Sequence, residues 1–150
     1  MNKLWLFCII SFSWACGPGT GNATYQSLSD ADQAKFEKYM ILGKDVYNAN
    51  CNNCHQPNGE GLHGLIPPLA NSDYLEKNQL AIPCLLKLGS KDSIIVNGLS
   101  YPPQMPPHNL SNLELAEVIT YINNSWGNEY GFAPVIAVDQ MLLNCKADNK

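Results

Sequence analysis

Arginine is absent from all 150 residues, and nine lysines face 13 acids for a formal net charge of −4. Nucleic-acid binding depends on clustered Lys and Arg, so an acidic chain without a single guanidinium excludes that class of partner. Long apolar runs are scarce as well. The main one, residues 4–12, is about half of the roughly 20 residues that a helix needs to cross a bilayer, which argues against a spanning segment. No internal repeat is present. There is no Ser/His/acid arrangement, no glycine-rich phosphate loop and no carboxylate pair at an acid–base spacing, so nothing points to hydrolysis or phosphoryl transfer.

What the chain does have is six cysteines, two of them in Cys51-Asn52-Asn53-Cys54-His55. In a C-x-x-C-H run each thiol can add to one vinyl group of a haem, and the next residue places an imidazole beneath the iron as proximal ligand. A structural zinc module would need two further ligands close by. A thiol–disulfide protein would keep both thiols free in a βαβ setting, and no such setting surrounds the motif. The motif occurs once, which predicts a single covalent haem c.

Lys3, the apolar run and Ser13-Trp14-Ala15 follow the charged, apolar and small-residue order of a secretory signal peptide over residues 1–15. The surroundings of Cys16 resemble a bacterial lipobox, whose cysteine is acylated after cleavage. Ser13 stands where that pattern prefers an aliphatic residue, and Ser13-x-Ala15 equally suits an ordinary signal peptidase. The glycine-rich stretch that follows reads as a flexible tether, placed over residues 16–29. Export then sets the thiol parity. Cys8 leaves with the signal, and Cys51 and Cys54 go to haem. If Cys16 carries lipid, Cys84 and Cys145 remain as a pair that an oxidising compartment would join; small buried thiols are the alternative.

The rest reads as mostly helix in one domain. Ser29 is a good N-cap with acids in the first turn, and Phe36, Tyr39, Met40, Gly43, Val46 and Tyr47 form a helical stripe running into Cys51. Residues 56–70 hold Gly59, Gly61, Gly64, Pro67 and Pro68 and predict a loop. Ser72 caps a short helix through Leu75, and Pro83 starts another that Gly89 stops. Ile94-Ile95-Val96 is a short apolar run ended by Asn97-Gly98. Residues 101–107 carry four prolines and exclude helix. Ser111 and Glu114 predict a capping box, Leu110 and Leu115 a hydrophobic staple, and Leu115, Val118, Ile119, Ile122 and Trp126 a buried stripe that stops at Gly127. Pro134 opens a last amphipathic piece bearing Val138, Met141, Leu142 and Cys145.

This order of helix, C-x-x-C-H, glycine-rich loop, Pro-x-Leu, methionine in a proline loop and C-terminal helix resembles a class I mono-haem cytochrome c. The resemblance covers about residues 30–127 and leaves 128–150 as a C-terminal extension packed on that domain. It implies an all-α fold around one haem. Its terminal helices would cross through Gly43 and Tyr47 on the first and Val118 and Tyr121 on the second. In Pro67-Pro68-Leu69, the Pro67 carbonyl would accept the second ring N–H of the proximal His55. The sixth ligand is implied to be Met105, from its Met-Pro context; His108 is the rival and reads as a surface residue. Met40 and Met141 lie on core stripes, and His63 sits on the proximal loop.

Two filled axial positions imply outer-sphere transfer of single electrons and no enzyme activity. The expected partners are a respiratory donor and an acceptor such as a terminal oxidase or reductase. The expected place is the periplasmic side of a bacterial membrane, as a lipid-anchored monomer or as a cytochrome subunit of a complex. The alternative is a haem-based sensor or peroxidase-like enzyme with a labile sixth ligand.

Overall fold

A computed structural model describes residues 22–145. The proposed signal peptide and Cys16 lie outside the described residues. Seven helices and one two-stranded hairpin make up the described part. The short α1 (Ala23–Ser27) precedes α2 (Asp30–Asn50), which leads into the one-turn α3 (Asn52–His55). After a long loop come α4 (Asp73–Lys77) and α5 (Ile82–Leu88), the hairpin β1 (Ile94–Val96) and β2 (Leu99–Tyr101), then α6 (Asn112–Asn123) and α7 (Val135–Cys145).

The two long helices start as their sequences dictate. The Ser29 hydroxyl accepts the Asp32 N–H, and Asp30 and Asp32 place negative charge at the positive end of α2. Ser111 and Glu114 form a reciprocal capping box on α6, with the Glu114 carboxylate accepting the Ser111 N–H at 2.7 Å. Phe36, Tyr39, Gly43 and Tyr47 are buried on α2, which packs on α6, most of whose residues are buried. At the crossing, a Cβ on Gly43 would overlap the Glu117 carbonyl and lie 2.8 Å from Tyr121 Cβ. Only glycine lets the two backbones come this close. Tyr47 is fully buried, and its hydroxyl donates to the Gln56 carbonyl at 2.6 Å, tying the crossing to the start of the loop.

Several elements differ from the sequence pattern. Residues 22–28, assigned to the tether, hold α1, which Asn22 caps. Tyr25 packs against Phe36 at a ring-centroid distance of 5.9 Å and donates to Glu37, so this segment is joined to α2. The helix α6 ends at Asn123 rather than reaching Gly127. The Asn124 amide donates to the Thr120 carbonyl and the Ser125 hydroxyl to the Tyr121 carbonyl. These side chains take acceptors that the next helical N–H groups would use, and the chain turns away with Trp126 at φ 55°. Trp126 therefore leaves the helical stripe. The hairpin at 94–101 is an addition to the helical architecture, in the register Ile94↔Tyr101 and Val96↔Leu99. Asn97-Gly98 between short apolar runs is its sequence signal, since both turn residues take positive φ.

The extension packs on the domain. Helix α7 lies against α5 and α6, with Val138 fully buried. Cys84 on α5 and Cys145 at the end of α7 are joined by a disulfide, with Cα atoms 5.6 Å apart. Among the described residues, no helix is long and apolar enough to cross a membrane.

A cleft between the attachment motif and the methionine loop

The end of α2 delivers the first half of the site. Cys51 caps that helix, and its carbonyl accepts both the Cys54 and His55 N–H groups, at 3.1 and 2.9 Å. This tight turn puts Cys51 in the core and Cys54 at the surface, both as free thiols. Burial pushes the Cys51 thiol up to about 11, with the Cys54 charge adding to the shift, so Cys51 stays protonated at neutral pH. His55 is buried, and its Nδ1 lies 3.0 Å from the Pro67 carbonyl oxygen. A carbonyl can only accept, so Nδ1 carries the proton. Burial holds the ring below the usual imidazole range, the Pro67 bond partly opposing it. His55 is therefore neutral, with Nε2 as its unprotonated nitrogen.

The second half comes from the proline loop. The Ser90 N–H donates to the Met105 carbonyl at 2.9 Å, and the His108 N–H donates to the Leu86 carbonyl at 3.0 Å. These bonds pin the loop to the end of α5, where residues 101–107 supply no helix of their own. Met105 is half-buried and packs against the core.

One cleft has Cys51, Cys54, His55, Pro67, Met105 and His108 in its walls. Leu69, Leu75, Ile82, Leu85, Leu86, Val96, Val118 and Ile122 complete an apolar lining. His108 is thus half-buried in the cleft wall rather than a surface residue. Periodicity could not show this, because its position follows from the loop's bonds to α5. His63 is exposed and away from the cleft, and Met40 and Met141 sit partly buried on their helices, also outside it. Tyr101 reaches the lining through the hairpin, which the sequence pattern left as an apolar run.

The donor set suits a haem. The cleft offers a neutral imidazole with one free nitrogen, a thioether, two thiols on one turn and apolar walls. Among the described residues, no group of three or more His, Cys, Asp or Glu gathers to hold a bare metal ion.

Comparison with known proteins agrees with this geometry. The family model for cytochrome c matches residues 40–126. Cytochrome c-552 of Thermus thermophilus is 33% identical over 112 residues, which cover 69% of this chain and 85% of that protein. The cytochrome c subunit of the quinone alcohol dehydrogenase of Gluconacetobacter polyoxogenes is 28% identical over 123 residues, 75% of this chain but 24% of that subunit. The chain belongs to the cytochrome c family, whose members are electron-transfer proteins with covalently attached haem c.

Proposed function

We propose that this cytochrome c carries single electrons between respiratory redox proteins at the periplasmic side of a bacterial membrane, anchored there by an acylated Cys16. In this reading Cys51 and Cys54 would hold the haem covalently through their sulfur atoms, and His55 and Met105 would ligate its iron. The observation that carries the reading is the cleft that unites these four residues, with His55 held in one tautomer by Pro67. Haem c supplies a one-electron ferrous–ferric couple. The chain's own part is to bind, orient and exclude water. The Pro67 bond fixes the plane and basicity of the imidazole. The bonds from Ser90 and His108 fix the Met105 loop before any electron arrives, and a ligand set that does not move keeps reorganisation small. The apolar lining keeps the interior dry.

The surface at Cys54 is where a redox partner would come close. Leu65 is 56% exposed beside the cleft, which suits the small, transient encounters of electron carriers. Similarity to a dehydrogenase cytochrome subunit supports a second form of the same reading, a cytochrome that serves one larger complex. Two measurements test the proposal. Protein made with a haem-attachment system should show sharp haem bands that survive acidified organic extraction; haem lost to the solvent would contradict covalent attachment. Mass spectrometry of the mature N-terminus should find an acylated Cys16; an unmodified Cys16 would remove the anchor.

A further inference from the structure

The loop that supports His55 is tied to it at one point, where the Gly61 N–H donates to the His55 carbonyl at 3.0 Å. Between Gly61 and Pro67 it folds back through a single bridge, Leu62↔Ile66, and both Leu62 and Leu65 are exposed. Further anchors come from the segment just past α6. The Trp126 Nε1–H donates to the Pro57 carbonyl at 3.0 Å. Its ring lies over Gly59, where a Cβ would come within 2.6 Å of Cε3, so only glycine admits the indole there. Behind it the ring packs on Tyr47 and Tyr121, at centroid distances of 5.1 and 5.5 Å, which ties it to the helix crossing.

Asn128 holds the other end of the loop. It is 2% exposed, and its side chain makes three bonds. Nδ2 donates to the carbonyls of Leu69 at 2.9 Å and Ile122 at 2.8 Å, and Oδ1 accepts the Asn71 N–H at 2.8 Å. The two ends are laced together, because the Gly59 carbonyl accepts the Leu69 and Ala70 N–H groups at 2.7 and 3.0 Å. Pro67 sits two residues before Leu69. We propose that Trp126 and Asn128 are positioning residues that clasp this loop and so hold the Pro67 carbonyl against His55 Nδ1. The proposal rests on His55 as an iron ligand.

A residue that only ends a helix would affect stability alone. A clasp on the Pro67 carbonyl also sets how strongly His55 donates to iron, because a loosened Nδ1–H bond makes the imidazole a poorer donor. The test uses the haem-loaded protein. Trp126→Phe keeps an aromatic ring and removes the N–H, and Asn128→Ala removes all three bonds without adding charge. Phe132→Leu, on the aromatic cluster around Tyr39, serves as a stability control.

Two quantities are read: exchange of the His55 ring N–H by NMR in the reduced state, and the reduction potential. Both clasp variants should speed that exchange by about tenfold or more, as local opening of the loop becomes easier. Both should raise the ferrous-to-ferric ratio at a fixed poise, and Phe132→Leu should move neither. If Trp126→Phe and Asn128→Ala lower thermal stability but leave exchange and potential at wild-type values, the clasp is overturned. Should Asn128→Ala fail to fold, Trp126→Phe decides alone. A wild-type His55 ring without any iron-induced shift would instead overturn the ligation reading, and this proposal with it.

Discussion

His55 and Met105 owe their positions to different kinds of signal. His55 follows Cys54 on a turn whose spacing is set by chemistry, so its place beside the two thiols was legible before any fold. Its partner Pro67 was legible only through the family resemblance, and the 3.0 Å contact gives it a physical basis. Met105 is held by backbone bonds from Ser90 and shares the cleft with His108, a proximity that no local pattern encodes. Met105→Ala should turn the haem from six-coordinate low-spin to a form with an open or water-filled position. It should also lower the reduction potential, because the thioether favours ferrous iron. A visible spectrum and a potentiometric titration check this. His108→Ala should leave both unchanged. The reverse pattern, with His108→Ala opening the site, would reassign the sixth ligand to His108.

The close approach of α2 and α6 makes Gly43 the element-scale test. Alanine there would gain about 1 kcal/mol of helix propensity. Its Cβ would overlap the Glu117 carbonyl, a backbone atom that no rotamer change can move aside. Overpacking of this kind costs about 1–3 kcal/mol and wins, so Gly43→Ala should lower the denaturant midpoint. The capping box gives a pH test. Bonds from the Ser111 hydroxyl and N–H hold the Glu114 carboxyl below the usual glutamate range. A lowered folded value means that the stabilisation is complete above the unfolded value and fades as acid protonates Glu114. Hydrogen exchange in the first turn of α6 should therefore quicken on acidification, and Glu114→Gln should flatten that response. The disulfide closes a sequence separation of 61. By chain entropy it contributes about 4 kcal/mol, so reduction should lower the urea midpoint accordingly. Helix starts were legible because caps are local. The end of α6 was not, because Asn124 and Ser125 divert it with side-chain bonds that compete with an intact apolar stripe.

As a whole, the molecule is acidic and arginine-free. A partner steered by charge would present a basic surface, and the transfer rate should fall as ionic strength rises and the screening length shortens toward about 10 Å at 0.1 M salt. Stopped-flow rates across a salt series would show it; a flat series would assign docking to the apolar rim near Leu65. The helical architecture was legible because motif, caps and crossing residues agree with one another. The hairpin at 94–101 and the clasp on the loop were not, since both arise from contacts between segments far apart in sequence. The central claim is that the chain's own ligands close both faces of the haem, leaving it to exchange electrons only. Adding carbon monoxide to the reduced wild-type protein tests this most directly. The spectrum should remain that of the unliganded six-coordinate form. Ready formation of a carbon monoxide complex at full occupancy would show a naturally open sixth position and replace the carrier with a ligand-binding haem protein.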